Sequence, residues 1–172
     1  MVLANRESLP FGGQLLGIGG SPRKGGNTET LLGTILGAAQ DRGARTELVR
    51  LPDLQFQPCV GCELCRKDGR CSRFNDDMTE LYPKIIEAKG LVLVCPVHNY
   101  NVTAWMKAFI DRLYCLYNFT NERPRNWSSR LAGQGRKAVI AAVCEQEYKK
   151  DMGFVMEAMR MPLEALGFEV VG

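Results

Sequence analysis

LLGIGGSPRKGGNT, at residues 15–28, begins as an apolar run, passes through glycines and two cations, and leads into a helical pattern. The apolar residues Leu31, Leu32, Ile35 and Leu36 that follow recur at the spacing of one helix face. The stretch therefore predicts a strand, a turn and a helix, the unit from which parallel α/β sheets are built. A glycine-rich turn before a helix N-terminus is suited to an anion, because unpaired N–H groups and the helix dipole both favour negative charge there.

The residues of this turn do not match two common kinds of phosphate-binding site. A nucleotide-hydrolysing P-loop has Lys and Ser or Thr where this chain has Gly26 and Asn27. The dinucleotide motif has a third glycine where this chain has Pro22. We therefore predict a cradle for a terminal monophosphate, the alternative being a polar turn exposed to solvent. The predicted phosphate contacts are Ser21, Arg23, Lys24, Asn27 and Thr28.

Length and composition indicate a single globular domain over residues 1–172, with 45% hydrophobic and 24% charged residues. A net charge of +3 is too small to argue for nucleic-acid binding, and no apolar run approaches the ~20 residues of a membrane span. Residues 1–13 are expected to be a lead-in segment rather than a secretory signal. Seven cysteines in such a chain indicate reduced thiols or metal ligation, and hence a cytoplasmic protein.

Strand and helix patterns alternate along the whole chain. This alternation predicts a doubly wound parallel sheet of five strands with helices on both faces. Pro83 predicts a kink or a division into two short pieces in one helix, and Pro162 predicts a kink in the last helix. Residues 118–136 show no clear element. We expect a further helix or a neighbouring subunit to cover the edge beside the last strand. The predicted strands are 15–19, 46–51, 91–95, 138–143 and 168–171, and the predicted helices are 28–42, 76–88, one from 101 or 102 onwards, and 151–166.

Ligands of such sheets bind beyond the carboxyl ends of the strands. Three loops are predicted to meet there, at residues 20–28, 96–101 and 143–148, and the segment 52–75 leaves from the same edge. The second loop can present peptide groups, hydrogen bonds and an aromatic ring to a planar heterocycle. His98, the only histidine, is not expected to act as a general acid. The ligand-binding residues predicted in the second and third loops are Pro96, Val97, His98, Asn99, Tyr100, Asn101 and Cys144.

Four cysteines, Cys59, Cys62, Cys65 and Cys71, lie within thirteen residues. The spacing of three residues, closed by a fourth thiol a few positions later, is similar to the compact runs that hold iron–sulfur clusters. Zinc sites more often draw two cysteine pairs from separated knuckles. We predict a cluster here and keep zinc and metal-free thiols as alternatives. The other three cysteines, at positions 95, 115 and 144, are expected to be ordinary buried residues.

Four segments together resemble the flavodoxin-like NADPH-dependent FMN reductase family, and within it the iron–sulfur flavoproteins. The resemblance extends over about residues 14–171. It implies sheet order 2-1-3-4-5, FMN with its phosphate at 21–28 and its ring against 96–101, and a homodimer or homotetramer. It also implies a 4Fe–4S cluster on the four cysteines. The segments are GSPRKGGNT at 20–28, the cysteine run with NDDM at 75–78, PV at 96–97 and KAFIDR at 107–112.

The resemblance implies an oxidoreductase that transfers electrons between NAD(P)H or ferredoxin and a small-molecule or protein acceptor. The cofactors carry this chemistry, so no catalytic side chain is predicted. One alternative is an NAD(P)H-dependent flavin or quinone reductase whose cysteines hold no cluster. Another is a zinc- or thiol-based binding module without turnover.

Overall fold

The computed structural model describes residues 13–172, so most of the predicted lead-in at 1–13 lies outside the described residues. Five parallel strands form the central sheet, in the order β2-β1-β3-β6-β7, and β4 pairs with β5 in a separate antiparallel hairpin. The order is the predicted 2-1-3-4-5, which confirms the fold class. The strands are β1 Gln14–Gly19, β2 Arg45–Arg50, β3 Gly90–Pro96, β4 Tyr117–Phe119, β5 Trp127–Ser129, β6 Lys137–Val143 and β7 Glu169–Val170.

Helices cover both faces of the sheet. On one face α1 packs through Leu32 and Leu36 against Val92 and Val94 of β3. On the other face α3, α4 and α5 share the larger core with Leu16, Leu91 and Leu93. Successive residues of β3 alternate between these two cores, which explains why this central strand is apolar throughout. The helices are α1 Asn27–Gln40, α2 Cys65–Asp68, α3 Met78–Glu87, α4 Ala104–Arg112 and α5 Val155–Ala165.

Gly17, in the middle of β1, lets α1 approach the sheet closely. A Cβ atom at this position would lie 2.7 Å from Leu36 Cδ1 and 2.9 Å from Leu32 Cδ1. Real Cβ atoms do not approach carbon atoms so closely, so a side chain here would force the Leu32 and Leu36 side chains to shift. Gly17 therefore lets these two leucines of α1 pack directly on β1.

The structure differs from the sequence-based expectations at several places, including the start of α5, which is Val155 rather than 151. Residues 118–136, expected to lack regular structure, contain most of the β4–β5 hairpin. Helix α4 begins at Ala104 rather than at 101 or 102, because the Thr103 side chain accepts a hydrogen bond from Met106 N and caps the helix. Helix α3 is continuous through Pro83, which excludes two short pieces, one of the two alternatives expected there. Among the described residues, none of the helices combines the length and apolar character needed to cross a bilayer.

Candidate functional site

A recess of about 550 Å³ opens at the carboxyl edge, where the loops after β1, β3 and β6 meet. This volume is within the range of small-molecule and cofactor sites. The recess brings together residues predicted from three separate loops, as expected for a doubly wound sheet. Its lining consists of Ser21, Pro22, Arg23, Gly26, Asn27, Thr28, Pro96, Val97, His98, Val143, Cys144 and Glu145.

One wall of the recess is the N-terminus of α1. Its N-cap residue is Gly26, and no side chain caps the helix, so the first-turn N–H groups keep their capacity to bind an anion. Thr28 is 3% exposed and Ser21 is 9% exposed, and both line the recess. Ser21 Oγ accepts a hydrogen bond from Arg23 N at 3.2 Å, which fixes the turn. Hydroxyls, helix N–H groups and the Arg23 cation are thus gathered at one end of the recess, as a phosphate requires.

Lys24, also predicted to contact the phosphate, is not part of the recess lining. Its side chain is 78% exposed, and its Nζ lies 3.7 Å from Asp53 Oδ1. Lys24 therefore adds positive charge near the mouth of the recess without touching its wall. Arg23 is the cation that lines it.

The loop after β3 folds into a tight two-residue turn from His98 to Asn101. His98 N donates to Asn101 O at 2.8 Å and Asn101 N donates to His98 O at 3.0 Å. Asn99 has φ 47° and Tyr100 has φ 64°, both left-handed, as the primed hairpin turns require. A tyrosine in this conformation is strained, so the surrounding structure must stabilise it. His98 lines the recess, whereas Asn99 and Tyr100 line an adjoining recess that shares Val97 with it.

Gly153, just before α5, braces this turn. Phe154 N donates to Tyr100 O at 2.8 Å. Gly153 has φ 55°, and a Cβ atom there would lie 2.2 Å from Tyr100 O. The segment before α5 therefore packs directly on the strained turn and holds the Tyr100 side chain, which is 57% exposed, at the mouth of the site.

Few backbone N–H groups of the segment 97–101 are free to bond to the ring of a ligand. Val97 N donates to Val143 O at 2.9 Å, and the N–H groups of His98 and Asn101 are used within the turn itself. The side chain of Asn101 accepts from Val102 N at 2.8 Å, and neither recess includes Asn101 in its lining. The turn tip and the wall formed by Pro96 and Val97 are thus the parts that can contact a planar heterocycle.

Thr103 was not among the predicted site residues, yet it joins the first two loops. Its hydroxyl donates to Gly20 O at 2.7 Å and accepts from Met106 N at 3.2 Å, and the residue is fully buried. Its N–H donates to Cys95 Sγ at 3.4 Å. A threonine before the apolar stripe of α4 is a sequence signal for an N-cap, but its bond to Gly20 depends on the fold.

The four predicted cluster cysteines line one recess at the C-terminal end of α4, and Cys115 lines it too. The four are Cys59, Cys62, Cys65 and Cys71. In residues 13–172, no three His, Cys, Asp or Glu side chains converge on one point where they could hold a single metal ion. A 4Fe–4S cluster requires a different arrangement, since each of its irons takes one thiolate. The donor set fits that cluster in number and in softness.

The pKa of Cys65 shows how closely these thiols are placed. It is raised to about 11, first by burial and then by the neighbouring thiols Cys115, Cys71, Cys59 and Cys62. Crowded thiols repel one another as thiolates, and a bound cation would remove this penalty. Residues 55–63 belong to no helix or strand, so this part of the loop can adjust to a ligand without breaking regular structure.

Cys115 was expected to be an ordinary buried residue, and it is 3% exposed. The structure adds that it forms the inner wall of the thiol recess. Burial raises the pKa of Cys115, and the nearby Tyr82 side chain, the Cys71 backbone and the Arg112 cation partly offset that rise. Sequence spacing could not reveal this neighbour, because Cys115 follows α4 whereas the other four precede α3.

Known proteins match this chain in sequence. The profile of the NADPH-dependent FMN reductase family matches residues 14–160. An iron–sulfur flavoprotein of Methanocaldococcus jannaschii is 39% identical over 99 residues, covering 58% of this chain and 51% of that protein. An iron–sulfur flavoprotein of Archaeoglobus fulgidus is 40% identical over 102 residues, covering 59% of this chain and 51% of that protein. The matched part of the chain thus spans about half the length of these relatives.

Solved structures show the same fold. An NAD(P)H:quinone oxidoreductase from Methanothermobacter marburgensis superposes with a TM-score of 0.71 at 17% identity, over 94% of this chain and 84% of that one. An FMN-dependent NADH-azoreductase from Bacillus anthracis, in complex with FMN, gives a TM-score of 0.69 at 15% identity, over 92% of this chain and 85% of that one. The family profile spans most of the chain, and the sheet order and the recess at its carboxyl edge agree with it. The chain therefore belongs to the NADPH-dependent FMN reductase family of flavodoxin-like oxidoreductases.

Proposed function

We propose that this chain, as one domain, binds FMN in the 550 Å³ recess and a 4Fe–4S cluster on Cys59, Cys62, Cys65 and Cys71. It would then transfer electrons between NAD(P)H or ferredoxin and a small-molecule or protein acceptor. FMN supplies two-electron and one-electron chemistry when bound, and the cluster supplies one-electron transfer. The observation that carries the proposal is the uncapped N-terminus of α1, which faces a recess lined by two buried hydroxyls and an arginine.

In this proposal each wall of the recess has its own task. The first turn of α1, with Ser21 and Thr28, binds the FMN phosphate, and Arg23 balances its charge. Pro96 and Val97 form an apolar wall against one part of the ring, and the turn tip at Asn99 and Tyr100 limits access to it. No side chain is needed as an acid or base, since the reacting atoms belong to the cofactor.

The phosphate assignment is tested by comparing FMN with riboflavin, which lacks the phosphate. A hydrogen bond to a charged group is worth ~1.5–3 kcal/mol, so Thr28→Ala should weaken FMN binding by about tenfold or more. Riboflavin affinity should stay nearly unchanged. Thr34→Ala is the matched control, because Thr34 is an exposed residue of α1 whose hydroxyl bonds only to Thr30 O. Equal losses for both ligands would show that Thr28 does not contact the phosphate.

The cluster assignment is tested by anaerobic reconstitution with iron and sulfide. Wild-type protein should hold about four irons per chain. Cys62→Ala should lose most of them, and Cys144→Ala, which changes a thiol of the other recess, should keep them. Protein that oxidises NAD(P)H with FMN but takes up no iron would instead be a cluster-free flavin or quinone reductase. Zinc uptake without flavin binding would indicate a binding module.

Assembly and compartment follow from the same proposal. Thiolate ligands must stay reduced, which favours the cytoplasm. We also propose a homodimer or homotetramer, because a second copy could bury two exposed apolar surfaces. One lies beside the thiols, at Val60 and Leu64, and the other lies near the turn at 98–101, at Tyr148 and Phe154. Sedimentation of the reconstituted protein measures the assembly directly.

A further inference from the structure

The cysteine segment is closed at its base by a short neck. Gln55 N donates to Asp77 Oδ2 at 2.7 Å, and Asp77 N donates to Gln55 O at 3.2 Å. Gln57 N donates to Asp76 Oδ2 at 3.1 Å. The chain entering the segment is therefore bonded to the chain leaving it, and all four predicted cluster ligands lie in the loop 58–75 between them.

Arg112, the last residue of α4, ties this neck to the body of the fold. Its Nη1 donates to Gln57 O and to Asp76 Oδ2, both at 2.7 Å, and its Nη2 donates to Asp76 Oδ1 at 2.9 Å. Its Nε lies 3.2 Å from the Tyr82 hydroxyl. The residue is 2% exposed, so this is a buried ion pair with nearly every donor used.

Arg112 and Asp76 differ in their position relative to the thiols. Arg112 lines the thiol recess, and Asp76 does not. A buried ion pair is a poor source of stability compared with apolar packing of the same volume, so its presence here asks for another explanation. One explanation is electrostatic. Reduction adds a further negative charge to a site with four thiolates, and a fixed cation at the wall of that site stabilises the added charge.

Taking the cluster of the proposed function as given, we propose that Arg112 is a positioning residue for the thiol site with two effects. Its guanidinium closes the neck of the cysteine loop, and its positive charge raises the reduction potential of the group held there. Asp76 orients the guanidinium and, lying behind it, moderates that charge. The two residues should therefore act on the potential in opposite directions.

The experiment compares Arg112→Gln, Arg112→Lys and Asp76→Asn in the full chain after anaerobic reconstitution. Iron content and the midpoint potential of the cluster are measured for each by equilibrium redox titration. Lys137→Gln is the control, because Lys137 is a cation at the start of β6 whose side chain is 54% exposed and pairs with Glu169, away from the thiol recess. Arg112→Lys retains the charge but loses the two-pronged bond, so it separates charge from geometry.

Arg112→Gln should lower the potential and Asp76→Asn should raise it, each by about a tenfold change in the reduction equilibrium, ~59 mV for one electron. Arg112→Lys should keep the wild-type potential with a lower iron content, and Lys137→Gln should match wild type in both. Shifts of the same sign, or unchanged potentials, would overturn the inference. If Arg112→Gln holds no iron, Asp76→Asn alone decides the sign. Wild-type protein that takes up no iron would instead refute the proposed function.

Discussion

Gly153→Ala is the substitution for which the structure gives the clearest expectation. The new Cβ atom would lie 2.2 Å from Tyr100 O and 2.5 Å from Tyr100 Cβ. The backbone at this position, φ 55° and ψ −126°, is also unfavourable for any residue with a side chain. The segment before α5 must then move away from the turn at 98–101, because a backbone oxygen cannot rotate out of the way as a flexible side chain can.

The separation has an energetic cost that follows from the lost contacts. The hydrogen bond from Phe154 N to Tyr100 O is worth ~1 kcal/mol. Alanine held at φ 55° and ψ −126°, a backbone conformation suited to glycine, adds ~1–3 kcal/mol of strain. We therefore expect the free energy of unfolding to fall by about 2–4 kcal/mol. If the released turn keeps its bound conformation a tenth of the time, FMN affinity falls about tenfold.

Urea unfolding and FMN titration of the same protein measure both effects. Gly33→Ala is the control, since Gly33 lies in α1 and an added Cβ atom meets nothing within 4 Å. That variant should gain ~0.5–1 kcal/mol and keep its FMN affinity. If Gly153→Ala were as stable as wild type, the packing of this segment on the turn would not hold the turn in place.

Three further predictions concern buried polar groups. Burial alone would raise the pKa of Asp76, but hydrogen bonds, that from Arg112 foremost, hold it below the ordinary 3.8. The ionised Asp76 carboxylate therefore stabilises the folded state fully above pH 3.8, and this contribution is lost as the pH falls through the lowered pKa. The urea midpoints of wild type and Asp76→Asn should begin to converge below about pH 4. Thr103→Val should cost ~1–3 kcal/mol in thermal unfolding and Thr103→Ser much less, because only serine keeps the helix cap and the bond to the first loop. Arg136→Met leaves three carbonyls at the C-terminal end of α3, two buried and one partly buried, without their donor and should cost ~2–4 kcal/mol in urea unfolding. Arg42→Met, at the exposed end of α1, should change little.

The sheet could be predicted from the sequence because its signals are local. The strand at 15–19 and the helix after it can be recognised from adjacent residues alone. The unbroken apolar run at 91–95 is typical of a central strand in a parallel sheet. The β4–β5 hairpin has strands of three residues each, too short for alternation to be recognised. Its strands are joined through the polar, basic segment 120–126, which gave no strand signal.

The candidate sites were predictable only in part, for the same reason. The phosphate turn and the cysteine run are contiguous, so their residue types reveal their chemistry. Arg112 and Asp76 are 36 positions apart, and their pairing exists only after α4 packs beside the neck. Cys115 and Gly153 likewise gain their roles from neighbours that are distant in the chain. Lys24 shows the opposite case, in which a residue of suitable type in the right loop points to Asp53 instead of the recess.

Helix α4 is the element that relates the two sites to each other. Its N-cap, Thr103, is bonded to the phosphate turn through Gly20 O, and its last residue, Arg112, is bonded to the neck of the cysteine loop. Nine residues of helix separate these ends by about 14 Å, at 1.5 Å per residue. The recess at the sheet edge and the thiol recess share no lining residue, so within one chain they are distinct chambers. Val60 and Leu64 of the cysteine loop are exposed, and neither lines the recess at the sheet edge. In the proposed function, a second protein surface is therefore better placed than the same chain's flavin to exchange electrons at Val60 and Leu64.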